Sequence, residues 1–334
     1  MTTSAIAVTG LRKAYGDKVV LDGIGFEVPS GSIFSMLGPN GAGKTTTVNV
    51  LTTLMKADAG TVRVAGHDAV TATRQVRAAI GVTGQFAAVD ELLSGRENLQ
   101  LMADLKRVRG SGRVVSGLLE RFDLTEAADK LAATYSGGMR RKLDLAMTLV
   151  GKPEIIFLDE PTTGLDPRSR RTMWQIVREL VAEGTTIFLT TQYLDEADQL
   201  ADRIAVLNQG SLVAEGTPEE LKRQIPGGHV RLRFSDPAAY RSAASALREV
   251  TADDEALSLQ IPSDGTQREL RSILDWLDSA GVEADELTVH TPDLDDVFLA
   301  LTDHTATQSA AAQPAPTRPT TTTPGSTTPE EIAR

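Results

Sequence analysis

The stretch Ile33-Phe34-Ser35-Met36-Leu37-Gly38-Pro39-Asn40-Gly41-Ala42-Gly43-Lys44-Thr45-Thr46-Thr47-Val48-Asn49-Val50-Leu51 decides the fold. Ile33 to Leu37 is a short apolar run of the length of a buried strand, and Thr46 to Leu51 reads as a helix. Between them the chain fits G-x-x-x-x-G-K-[ST], in the strand–loop–helix context that gives this pattern its meaning. The glycines let backbone N–H groups curl around phosphates at the positive end of a helix dipole. Lys44 is expected to reach the β- and γ-phosphates and the Thr45 hydroxyl to ligate Mg²⁺. Gly38, Pro39, Asn40, Gly41, Ala42, Gly43 and Thr46 make up the rest of the cradle. The chain is therefore expected to bind a nucleoside triphosphate.

A second strand supports this. Glu154-Ile155-Ile156-Phe157-Leu158-Asp159-Glu160 is apolar and ends in two acids. Buried strands of such folds end beside the phosphate loop, so Asp159 is expected to support Mg²⁺ and Glu160 to face the γ-phosphate. A carboxylate there can orient and polarise an attacking water.

Composition limits the remaining choices. The chain has 334 residues, with 34 Lys and Arg against 45 Asp and Glu, a net charge of −11. A globally acidic surface disfavours nucleic acid. With no cysteine, disulfides, thiol nucleophiles and Cys-ligated metals are excluded, and the four His have no metal-ligand spacing. No apolar run approaches the roughly 20 residues needed to span a bilayer, and the N-terminus does not read as a signal peptide.

Residues 1–223 alternate strand-like and helix-like segments in an α/β pattern. Gln224–Gly228 reads as a linker. A smaller α+β segment follows over 224–304, with strands expected at His229–Phe234, Ala256–Ile261 and Val282–His290. Leu270, Ile273, Leu274 and Leu277 form one helical stripe, and Asp293 is placed to cap a final helix carrying Leu294, Val297, Phe298 and Leu301. Of the 30 residues 305–334, nine are Thr, six Ala and five Pro, which leaves almost nothing to bury. This tail is expected to be disordered.

Tyr135-Ser136-Gly137-Gly138-Met139-Arg140-Arg141-Lys142 reads as a turn opening a helix, a second anion-binding helix start in a chain that needs only one. Here the sequence resembles the ATP-binding subunits of ABC transporters, whose signature motif has this form. The resemblance covers residues 5 to about 222. Thr163-Gly164-Leu165-Asp166 resembles the family's D-loop and Gln85 the Q-loop glutamine. Tyr15 is similar to the aromatic that stacks on adenine.

The resemblance implies a P-loop NTPase fold with a helical signature-motif subdomain, a small α+β C-terminal domain, and ATP with Mg²⁺ as ligands. It implies that two copies pack head to tail, with Ser136, Gly137, Gly138 and Asp166 of one copy capping the triphosphate held by Lys44 of the other. It also gives Gln85 a share in holding Mg²⁺ and makes Lys44, Glu160, Gln85 and Gln192 the catalytic set. Closure of the dimer would drive a separate polytopic membrane permease through the segment after Gln85, placing the chain peripherally on the cytoplasmic face of the membrane.

Gln192, in Thr190-Thr191-Gln192-Tyr193, stands where most members carry His. Gln can donate a hydrogen bond to the γ-phosphate but cannot take up a proton near neutral pH. Either it does the same hydrogen-bonding work, or the site hydrolyses slowly. With Leu189 before it, this loop, together with Thr134-Tyr135-Ser136-Gly137-Gly138-Met139-Arg140-Arg141 and Leu294-Asp295-Asp296-Val297-Phe298-Leu299-Ala300-Leu301, resembles daunorubicin-resistance-type export ATPases, which implies an amphipathic drug-like or lipid-like cargo. A soluble ABC-type ATPase acting on ribosomes or DNA, and a regulatory ATP-binding module that barely hydrolyses, are the alternatives. The C-terminal segment is expected to stabilise the dimer or regulate it.

Overall fold

The computed structural model describes residues 4–85, 87–223, 228–246, 250–263, 266–290 and 292–300. Most of the expected linker, and the expected tail, lie outside the described residues.

In chain order the first half runs β1 (Ser4–Tyr15), β2 (Lys18–Pro29), β3 (Ile33–Leu37), α1 (Lys44–Leu51), β4 (Ala59–Val64), β5 (His67–Asp68), α2 (Thr73–Ala79) and β6 (Ile80–Thr83). Three helices follow: α3 (Gly95–Leu105), α4 (Ser111–Arg121) and α5 (Gly137–Leu149). Then come β7 (Ile155–Asp159), α6 (Pro167–Ala182), β8 (Thr186–Thr191), α7 (Leu194–Leu200), β9 (Arg203–Asn208), β10 (Ser211–Gly216) and α8 (Pro218–Arg223).

Two sheets build this part. The antiparallel one has the order β2-β1-β4-β5. The other, β10-β9-β3-β8-β7-β6, is parallel throughout except for the β10 edge. Its inner strands β3, β7 and β8 are buried at every residue, which is why they read as continuous apolar runs instead of alternating ones. On one face Phe34, Phe188 and Phe157 stand in register across β3, β8 and β7. Phe26 of the antiparallel sheet joins them, with ring centroids 5.2 to 5.8 Å apart. The opposite face presents Ile33, Ile156, Leu158, Ile187 and Leu189 to α5 and α6. The Ser94 capping box with Glu97 sets the start of α3.

The C-terminal part runs β11 (His229–Arg233), α9 (Pro237–Ala246), β12 (Thr251–Asp253), β13 (Ser258–Pro262), α10 (Gln267–Ala280) and β14 (Glu286–His290). It is an antiparallel βαββαβ unit of order β12-β13-β11-β14. The three expected strands and the expected helix are present. Helix α9 and strand β12 were not legible, because Pro237–Ala246 is mostly Ala and Ser and β12 is exposed at all three residues. Leu274 is half exposed, and Trp276 joins Ile273 and Leu277 against the core in its place. A last helix at 294–300 turns back onto the N-terminal part, where Leu294 and Val297 share a core with Leu37, Ala197, Ala201, Ile204 and Leu221.

Candidate active site

The three central strands deliver the site. Leu37 pairs with Thr191 and Asp159 with Thr190, so the phosphate loop, Gln192 and the acidic pair all leave from neighbouring carboxyl ends of one parallel sheet. The Gly38 amide donates to the Thr191 carbonyl at 3.2 Å. Gly43 sits at φ +115°, where a Cβ would lie 2.7 Å from Leu21 Cδ2 and 2.9 Å from the Val20 carbonyl oxygen. A Cβ on Gly38 would lie 2.3 Å from the Leu207 carbonyl oxygen. Strands β2 and β9 thus press on the loop so closely that only glycine fits at these two turns.

Lys44 is the first residue of α1 and only 5% exposed. Its ammonium donates to the carbonyls of Gly38 (2.7 Å) and Pro39 (3.2 Å) and lies 3.3 Å from Glu160 Oε1. Glu160 is 8% exposed and holds φ +48°, an uncommon backbone conformation for a side chain of this size. Its amide donates to Thr190, and its Oε2 accepts from the Thr163 hydroxyl at 3.3 Å. The Asp159 carboxylate accepts from the Thr190 hydroxyl at 2.5 Å. Thr190 therefore steers both acids.

Asn40, Gly41, Gly43, Lys44, Thr45, Thr46, Gln85, Glu160 and Tyr15 line one cleft of about 360 Å³. Tyr15 stands half exposed at its mouth, with its hydroxyl 3.0 Å from Met55 Sδ. Thr45 and Gln85 line this cleft and carry oxygen donors of the kind that suits Mg²⁺, whereas Asp159, 4% exposed, is not among its lining residues. Gln192 is half-buried directly after Thr191.

The signature residues lie elsewhere. Ser136 and Gly138 line a separate cleft of about 420 Å³ with Arg168 and Ser169. Ser136 caps α5 by accepting from the Met139 amide, and Ser136 and Gly137 are exposed. A Cβ on Gly138 would meet Ser169 Oγ at 2.6 Å. Asp166 caps α6; the Ser169 hydroxyl and amide and the Arg168 amide hold its carboxyl below the usual range. Within one chain, then, the phosphate loop and the signature turn do not share a cleft.

A family model for ABC transporters matches residues 21–163, and a model for the C-terminal domain of DrrA1-3-like ATP-binding proteins matches 216–302. The chain is 47% identical over 306 residues to daunorubicin resistance ATP-binding protein DrrA3 of Streptomyces coeruleorubidus, covering 90% of this chain and 97% of that one. The chain belongs to the daunorubicin-resistance type of ABC transporter ATP-binding subunit. It is also 46% identical to the daunorubicin/doxorubicin resistance ATP-binding protein DrrA of Streptomyces peucetius, over 91% and 94% of the two chains. Identity to Nod factor export ATP-binding protein I of Paraburkholderia xenovorans is 38%, over 90% and 98%. A solved ATP-binding subunit of an ABC transporter superposes with TM-score 0.60 at 27% identity, over 66% of this chain and 92% of the other. As a member of this family the chain binds nucleotide and is an ATPase, the ATP-hydrolysing subunit of an ABC exporter. Among the described residues, no helix is long and apolar enough to cross a membrane.

Three buried polar residues of this ATP-binding subunit escaped the sequence reading. Arg141 and Asp144 sit inside α5, and Glu196 sits on α7 with no exposure at all. Glu196 Oε1 accepts from the Thr162 hydroxyl (2.8 Å) and Trp174 Nε1 (3.0 Å), and burial raises its carboxyl above the usual range. The available signal was the 141, 144, 148 spacing, a polar stripe on a helix that is otherwise almost wholly apolar on its inner side.

Proposed function

We propose that this subunit hydrolyses ATP with Mg²⁺ at the interface of a head-to-tail pair and so powers export of an amphipathic, drug-like or lipid-like compound through a separately encoded membrane permease. The observation that carries the reading is the Glu160 carboxylate beside the Lys44 ammonium in the phosphate-loop cleft. Lys44 holds the β- and γ-phosphates, and the loop amides bind the remaining phosphate oxygens. Glu160 orients a water for in-line attack on the γ-phosphorus and accepts its proton, and ADP leaves. Gln192 donates to the γ-phosphate, while Thr45, Gln85 and Asp159 would hold Mg²⁺, which when bound would neutralise developing negative charge. Tyr15 stacks on the base.

The separation of the two clefts supports the pairing. Ser136, Gly137, Gly138 and Asp166 do not line the phosphate-loop cleft of their own chain, and in the pair they would face the triphosphate held by a second copy. A groove of about 310 Å³ lined by Leu54, Val82, Met102 and Met147 supports the permease reading. Leu54, which lines it, is 69% exposed, an apolar side chain that suits contact with a cytoplasmic loop of a membrane subunit. The chain then sits peripherally on the cytoplasmic face of the membrane. We assign residues 1–223 to ATP binding, 224–304 to dimer stabilisation or regulation, and 305–334 to a tail. The cargo class follows from the relatives, whose names carry daunorubicin, doxorubicin and Nod factor export.

The test is affinity purification of Glu160→Gln with ATP from detergent-solubilised membranes of the source organism. A polytopic membrane protein recovered in comparable amount is the expected result. Recovery of soluble partners or ribosomes alone would overturn the transport reading.

A further inference from the structure

The Arg141 side chain is 8% exposed and that of Asp144 3%, one turn apart on α5, with Nη1 and Oδ2 3.3 Å apart. Burying two charges is costly unless every donor and acceptor is used, so the partners say what the pair is for. Arg141 donates to three backbone carbonyls. Nη1 bonds Gly84 at 2.7 Å, Nε bonds Pro161 at 2.9 Å, and Nη2 reaches Asp159 at 3.3 Å. Gly84 immediately precedes Gln85; Asp159 and Pro161 flank Glu160. Asp144 Oδ1 meanwhile accepts from the Ala88 amide at 3.0 Å, on the far side of Gln85.

One ion pair thus grips the Gln85 loop at both ends and the Glu160 turn at both ends. Its own backbone belongs to the helix that Ser136 caps. Asp144 and Ala88 also line the apolar groove beside Leu54 and Met102. A planar guanidinium spreads five fixed donors over three nitrogens and so reaches three separate carbonyls and Asp144 at once, whereas an ammonium's three donors radiate from a single nitrogen. Glu160, held at φ +48°, is a turn that needs outside support to stay in place.

We propose that Arg141 and Asp144 are positioning residues for hydrolysis: a buried staple that locks Glu160 and the Gln85 loop to the signature helix, so that a shift of α5 or of the groove floor moves the Glu160 carboxylate relative to Lys44. Neither side chain lines the phosphate-loop cleft. The proposal rests on the roles given above to Glu160 and Gln85. Burial pulls Arg141 below and Asp144 above their ordinary pKa values, each opposed by the partner's charge.

The full-length chain is tested as Arg141→Gln, Arg141→Lys, Asp144→Asn and Glu160→Gln. The readouts are kcat and KM for ATP, nucleotide Kd by fluorescent-analogue titration, and hydrogen exchange of the 84–88 segment. Arg141→Gln is expected to lower kcat about tenfold or more, with Kd held within about twofold and faster exchange at 84–88. Lys, which keeps the charge but loses the fork, restores only part of kcat. Asp144→Asn keeps an acceptor for the Ala88 amide and costs less than Arg141→Gln. If Arg141→Gln does not fold, the Lys and Asn variants carry the test, since each keeps a hydrogen-bonding group in place. A kcat within about twofold of wild type in the folded variants overturns the staple, as does a loss of kcat and nucleotide binding in equal proportion. Persistent turnover in Glu160→Gln would instead overturn the role of Glu160, a failure distinct from that of the staple.

Discussion

Replacing Thr190 by Val removes one hydroxyl while keeping the branched shape that β8 buries. Thr190 is fully buried, and its hydroxyl donates to Asp159 at 2.5 Å, the length of a hydroxyl-to-carboxylate bond. It also accepts from the Glu160 amide, but that amide keeps the Thr190 carbonyl at 3.1 Å as a second acceptor. The loss therefore falls on Asp159, which is itself only 4% exposed and cannot turn to water. A hydrogen bond to a charged group is worth about 1.5–3 kcal/mol. If the whole of it is expressed in the transition state, kcat falls about 10- to 150-fold. Phosphate-loop contacts are untouched, so nucleotide affinity without Mg²⁺ is expected to stay near wild type. Steady-state ATPase kinetics over a Mg²⁺ titration, with Kd measured in EDTA, separate the two. A variant with wild-type kcat at every Mg²⁺ concentration would refute the reasoning that Thr190 sets the Asp159 carboxylate.

Other outcomes follow from the same geometry. Ser136→Arg is expected to leave nucleotide binding by the single chain nearly intact while abolishing turnover, read by equilibrium titration beside an ATPase assay; unchanged turnover would refute the head-to-tail pairing. Gly43→Ala places a Cβ against Val20 and Leu21 at a left-handed backbone, costs about 1–3 kcal/mol, and should show as both a lower Tm and weaker nucleotide binding. Glu196 has its folded pKa raised by burial, so its contribution to stability is full below the unfolded carboxyl value and is lost as pH rises through the raised one. Glu196→Gln removes that loss, and its Tm relative to wild type should become more favourable from pH 5 to pH 8 in thermal melts. A difference in Tm that stays flat across that range would contradict the buried-acid assignment.

The parallel sheet and its loop were legible because burial on both faces leaves continuous apolar runs, and because the glycine spacing has few other uses. The acidic pair was legible for the same reason: Asp159 and Glu160 end an otherwise apolar strand. What the sequence could not display was partnership across distance. Arg141 and Asp144 look like ordinary helix charges until Gly84, Ala88 and Pro161 are brought to them from the loops after β6 and β7. Thr190 reads as a strand filler, yet its hydroxyl holds both acids. Glu160 at positive φ is invisible in composition, since nothing in an Asp-Glu-Pro run announces a left-handed turn. In the C-terminal unit the strands with clear alternation could be read, whereas the inner stripe of α9, Ala239, Tyr240, Ala243 and Ala244, is mostly alanine and carries little contrast with its Ala- and Ser-rich surroundings.

The return of the chain at 294–300 has a practical corollary for how the protein can be cut. Leu294 and Val297 complete the cluster that also contains Leu37, the residue directly before the phosphate loop, and Leu221, near the end of the ATP-binding half. A fragment stopped near 223 would strip these two side chains away and leave aliphatic surface open to solvent beside the nucleotide cleft. Poor solubility or weak ATP binding in such a fragment would then report an unhealed wound in the hydrophobic interior. An autonomous cassette is better made by keeping the return helix on a short tether across the excised βαββαβ unit, or by recoding Ala201 and Leu221 with polar side chains.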